Sequence, residues 1–67
     1  MSNKKNKIHI SQLYSEIDRI VSSNKLRGSE VTKRKLAKIR IGPNEFLGDD
    51  YAERVIQKYK KYITFGD

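Results

Sequence analysis

The sequence predicts an all-α domain built on a three-helix core, with room for a very small β element. Three observations predict it. Apolar residues recur at three- and four-residue steps over three stretches, polar segments containing glycine separate those stretches, and 67 residues leave space for one modest core.

The first stretch covers residues 11–22, where Leu13, Tyr14, Ile17, Ile20 and Val21 share a stripe about 100° wide on one side of a helix. Ser11 is the expected N-cap, because its hydroxyl can accept from first-turn amides, and Ile10 before it is placed as a hydrophobic staple. The polar segment ending at Gly28 should stop this helix between Ser23 and Gly28.

The second helix is expected over residues 32–40, capped by Thr32 or Ser29, with a narrow apolar side of Leu36 and Ile39 supported by Val31 and Ala37. Gly42-Pro43-Asn44 then imposes a turn, since proline presets φ while glycine and asparagine tolerate turn geometry. Phe46 and Leu47 are expected to plug the core from that loop.

The third helix is expected over residues 51–62, capped by Asp49 or Asp50, with Asp50 and Glu53 at capping-box spacing. Ala52, Val55, Ile56, Tyr59, Tyr62 and Ile63 fall on one arc, its core side. The small β element is suggested by three apolar-x-apolar tripeptides, Ile8-His9-Ile10, Ile39-Arg40-Ile41 and Ile63-Thr64-Phe65. Residues 1–7 carry Lys4, Lys5 and Lys7 without apolar company and read as a flexible basic arm, leaving residues 8–67 as the domain.

Composition bounds the function classes. With no cysteine there is neither a disulfide framework nor a thiolate zinc site, which fits a reducing compartment. No apolar h-region follows the basic arm and no apolar run approaches the roughly 20 residues of a membrane span, so a soluble cytoplasmic protein is expected. A core this small gains from reinforcement, which raises the expectation of a homodimer or a larger protein partner.

The 15 Lys and Arg residues against 8 Asp and Glu leave a net charge of +7, an electrostatic footprint suited to nucleic acid. On the second helix Lys33, Arg34 and Lys38 project away from Leu36 and Ile39, with Lys35 beside them. If the helix opens at Thr32, three successive cations crowd a first turn where the helix dipole disfavours them by about 0.3–1 kcal/mol each. A bound phosphate would reverse that sign. On the third helix Arg54, Lys58 and Lys61 form a second stripe, about 10 Å long at 1.5 Å per residue. The outer side of the first helix mixes Glu16, Asp18 and Arg19 and reads as scaffold.

From Gly28 onward, GSEVTKRKLAKI, a turn, and DDYAERVIQKYKKY resemble the helix-turn-helix family, in which a V-T-x-x-x-L-A segment opens the first helix of the pair. The resemblance covers about half the chain. It implies a three-helix core of helix-turn-helix or winged type, with the second helix positioning and the third reading duplex DNA. Two features depart from it. The turn, residues 41–49, exceeds the usual 3–4 residues, and Asp49, Asp50 and Glu53 stand where base contacts begin.

Tyr14, Tyr59 and Tyr62 all lie on apolar arcs and are expected in the core, leaving Tyr51 as the open aromatic. Because single-strand and RNA binders stack bases on exposed rings, duplex DNA is the expected partner ahead of single strands, with RNA as the other nucleic acid. Enzymatic chemistry is not expected: His9 stands without a motif, capping accounts for Asp49 and Asp50, and the four glycines are isolated. No cofactor, metal, membrane or small-molecule substrate is implied. The sequence therefore points to a small DNA-binding transcription regulator contacting phosphates through Lys33, Arg34, Lys35, Lys38, Arg54, Lys58 and Lys61, helped by Lys4, Lys5 and Lys7. The alternative is an accessory or protein-interaction module for an acidic partner.

Overall fold

In the computed structural model, which describes residues 8–67, the chain forms three helices and one two-stranded antiparallel sheet. Helix α1 spans Ile10–Asn24 and passes through a short 3-10 turn, Lys25–Arg27, into α2, Ser29–Ala37. Strands β1 (Arg40–Gly42) and β2 (Glu45–Phe46) make a hairpin, and α3 spans Asp49–Tyr59. The connection between α2 and α3 is thus a hairpin, where the helix-turn-helix resemblance implied only a turn.

Capping differs from expectation at all three helices. At α1 the cap is His9: its Nδ1 accepts from the Ser11 amide at 3.2 Å, and the Gln12 side chain accepts from the His9 amide at 3.4 Å. Ser11 falls inside the first turn instead, with its hydroxyl 2.8 Å from the same imidazole nitrogen. At α2 the helix opens three residues before Thr32, because the threonine is needed elsewhere. Its fully buried hydroxyl shares its proton between the carbonyls of Asn24 (3.1 Å) and Gly28 (2.9 Å), tying the end of α1 to the start of α2. At α3 neither Asp49 nor Asp50 accepts a capping bond; Gly48 is the N-cap, and both carboxylates sit in the first turn, where the helix dipole favours them.

The hairpin comes from the middle apolar-x-apolar tripeptide and the Pro43-Asn44 turn. Arg40 stands opposite Phe46 and Gly42 opposite Glu45. The Arg40 guanidinium folds over the turn, donating to the carbonyls of Gly42 (3.0 Å) and Pro43. The first tripeptide adds one bond to the hairpin, Ile8 N–H to the Ile41 carbonyl at 3.2 Å. The third, at residues 63–65, joins no sheet; Ile63 and Phe65 turn inward from a non-helical tail.

The core gathers Ile17 and Val21 from α1, Leu36 from α2, Ile39, then Ala52, Val55 and Ile56 from α3, and Phe65. Helix α2 packs against both α1 and α3, and Leu36 on it is completely buried. Of the two residues expected to plug the core, only Leu47 does so, because successive strand-like residues point to opposite faces. Phe46 is consequently 57% exposed.

Two tyrosines expected inside are outside. Helix α3 ends at Tyr59, so Tyr62 leaves the apolar arc within the following turn and is 78% exposed. Helix α1 runs about 22 Å at 1.5 Å per residue against about 13 Å for α2. Ile10 and Tyr14 near its start therefore lack cover.

Tyr59, half-buried, donates its hydroxyl to the Asp18 carboxylate and so links α3 to α1. That hydrogen bond, with partial burial and the Asp18 charge, raises the phenol from 10.0 to about 12. Stability from this link is complete below pH 10.0, where the unfolded phenol is still protonated, and is lost as pH rises towards about 12. An ultraviolet phenolate titration should show one late-titrating tyrosine, absent in Tyr59→Phe; four tyrosines titrating together would refute the link.

Candidate nucleic-acid interface

The outer face of α2 carries the first group of cations. Because α2 begins at Ser29, Arg34 and Lys35 lie in its last turn and Lys38 is its C-cap. The dipole there favours cations. The expected first-turn conflict does not arise, and no phosphate is needed to relieve it.

The anion at the α2 N-terminus is supplied by the chain. The Asp67 carboxylate accepts from the Ser29 amide at 2.8 Å and from the Ser29 hydroxyl, across 38 residues of sequence. These two bonds hold its carboxyl below the usual range, assisted by Lys60.

Lys33 is placed differently from its neighbours. Its side chain, 25% exposed, lies between α2 and α3, with Nζ 3.1 Å from Glu53 and 3.6 Å from Glu30. The hydrogen bond it donates to Glu53 and the charges of both carboxylates raise its ammonium above the ordinary value. Glu53 is held low in turn, first by Gln57 and then by Lys33. The structure uses Lys33 as a tie between helices, and Glu53 makes this tie in place of the expected capping box.

Lys35 and Lys38 border a shallow groove of about 350 Å³ between α1 and the end of α2, with Ile8, Ile20 and Ile39 as its apolar lining and Arg40 at its rim. Glu16 also lines it, engaged 2.6 Å from Arg19. Arg34 is exposed on the outward side of α2.

On α3, Arg54 and Lys58 are exposed, and Lys61 follows in the turn beyond the helix. This stripe lies roughly 100° further round α3 than Glu53, which reaches α2 through Lys33, and Gln57, which donates to Glu53. The Glu30–Lys33–Glu53–Gln57 band therefore stands between the two groups of cations. Lys4, Lys5 and Lys7 lie outside the described residues.

No family model, curated protein or solved structure matches this chain. Its function has to be argued from its own surface. Among the described residues no group of three or more His, Cys, Asp or Glu side chains is gathered as a metal site, and no helix is long and apolar enough to cross a membrane.

The contacts missed by sequence reasoning are long-range. Nothing local marks Asp67 as the partner of Ser29 or Glu53 as the partner of Lys33, since 38 and 20 residues separate them. Only Glu30, three residues before Lys33, carries the spacing of a helical ion pair.

Proposed function

We propose that this chain binds nucleic acid by phosphate contacts from the unpaired cations of α2 and α3. One observation carries the reading: Arg34, Lys35, Lys38, Arg54, Lys58 and Lys61 are exposed and have no carboxylate partner among the described residues. The carboxylates serve the fold instead. Glu16 is paired with Arg19, Asp18 holds Tyr59, Glu30 and Glu53 hold Lys33, Asp67 binds Ser29, and Asp49 and Asp50 begin α3. The positive charge left over is available to a polyanion, whose condensed counterions would be released on binding.

Duplex DNA and a regulatory role remain the sequence's expectation for this surface. The electrostatic part of the proposal does not depend on a helix-turn-helix geometry. Lys33 drops out of the contact set, because binding phosphate would require breaking its bonds to Glu30 and Glu53.

The test is fluorescence anisotropy of a labelled duplex of about 25 base pairs over roughly 50–200 mM salt, where phosphate-driven binding weakens steeply. Arg34→Gln with Lys38→Gln should flatten the log–log slope by about one unit per lost contact. Lys33→Gln should leave the slope as it is. An unchanged slope in the double variant, or an equal loss in Lys33→Gln, would sink the surface assignment.

A second reading, docking on an acidic protein partner, is favoured by Leu26, which is 82% exposed between Lys25 and Arg27. Absence of nucleic-acid binding at low salt would make it the leading one.

A further inference from the structure

Helix α3 and the turn after it carry an exposed row that alternates rings and cations. Tyr51 and Arg54 are three residues apart, Arg54 and Lys58 four, Lys58 and Lys61 three, and Lys58 and Tyr62 four. Those are the spacings of nearest neighbours on a helix surface. Past the end of α3 the chain closes two tighter i→i+3 turns, Lys61 N–H to the Lys58 carbonyl (3.3 Å) and Tyr62 N–H to the Tyr59 carbonyl (2.9 Å). These turns keep Lys61 and Tyr62, both exposed, beside the end of α3, in a row roughly 16–18 Å long at 1.5–2.0 Å per residue.

Tyr62 is largely free of the fold, and Tyr51 is partly covered with its remaining surface in solvent. Tyr51 is 40% and Tyr62 78% exposed, and neither makes a side-chain hydrogen bond among the described residues. Tyr59, the tyrosine the fold uses, is turned inward to Asp18. The buried residues Ala52, Val55 and Ile56 occupy the adjoining side of α3, so the two rings sit at the edge of its core face and the cations further round. An apolar ring left in water beside three unpaired cations gains most from a ligand that brings a flat π-face and a negative charge together.

We infer that this face of α3 is a stacking platform for single-stranded nucleic acid, with bases on Tyr51 and Tyr62 and the backbone along Arg54, Lys58 and Lys61. The inference rests on the nucleic-acid reading above and names its strand state. A duplex offers its phosphates but keeps its base faces inside its own stack, so the two rings would gain nothing from it; an unpaired strand offers both. Asp50, four residues before Arg54, borders the row at its N-terminal end, so the phosphate contacts concentrate at Lys58 and Lys61.

The test uses a fluorescein-labelled oligothymidylate of about 15 nucleotides, and the same strand paired with oligoadenylate, in anisotropy titrations at equal salt. The wild type is expected to bind the single strand more tightly than the duplex. Tyr62→Ala and Tyr51→Ala should each weaken single-strand binding about tenfold without changing duplex binding, while the Phe variants retain it. Tyr14→Ala, an exposed tyrosine on α1, should change neither. The chain has four tyrosines and no tryptophan, so quenching of its tyrosine emission by oligothymidylate, reduced in Tyr62→Ala, reads stacking directly. Equal affinity for both forms, or alanine variants that bind the single strand as wild type does, overturns the platform while salt-dependent duplex binding leaves the broader reading standing. Binding to neither form at low salt overturns both.

Discussion

Leu36→Ala is expected to unfold a substantial fraction of this protein at physiological temperature. Leu36 is fully buried on α2, the helix that packs against both others, so truncation opens a cavity that neither neighbour can close alone. Such substitutions cost about 2–5 kcal/mol. At roughly 0.05–0.15 kcal/mol per residue, a chain of this size holds only about 3–10 kcal/mol in total. The thermal midpoint followed by far-ultraviolet circular dichroism should fall by about 8–40 °C, at about 4–8 °C per kcal/mol for a small domain. Phe46→Ala, on the exposed hairpin, should stay within about 0.5 kcal/mol of wild type. If the two variants melted alike, the core would not be centred on α2.

Gly28→Ala is expected to destabilise more than Gly48→Ala, although both glycines have left-handed φ, +106° and +88°. Backbone strain of about 1–3 kcal/mol applies at both positions. The surroundings differ. At Gly48 the nearest heavy atom to an added Cβ is the Phe46 carbonyl oxygen at 4.0 Å; at Gly28 it is the Asp67 carboxylate at 2.5 Å. An alanine at position 28 therefore pushes Asp67 off Ser29 and leaves the first amide of α2 without its acceptor. In an Asp67→Ala background the two alanine variants should cost the same, because only the strain remains. A persistent gap between them there would show that Asp67 is not what distinguishes the sites.

What could be read along the chain was periodicity and charge. Leu13, Ile17, Ile20 and Val21, and later Ala52, Val55 and Ile56, repeat at helical spacing, and each set forms or borders the core. The Gly42-Pro43-Asn44 punctuation marked the turn that became the hairpin. These features depend on neighbours three or four residues away, so one dimension suffices to see them. The basic excess was equally visible, because net charge is a sum over residues and needs no geometry.

Placement was settled in three dimensions. Arg34, Lys35 and Lys38 look alike to Lys33 in sequence, yet Lys33 alone meets Glu53 from another helix and spends its charge there. Thr32 looked like a cap until α1 brought the Asn24 carbonyl to its hydroxyl. Tyr62 had the spacing of a core residue, but α3 ends three residues earlier and leaves the ring outside. The anion at the α2 N-terminus arrived from the far end of the chain as Asp67. Each of these outcomes turns on which distant group reaches a side chain first, and chain order does not encode that.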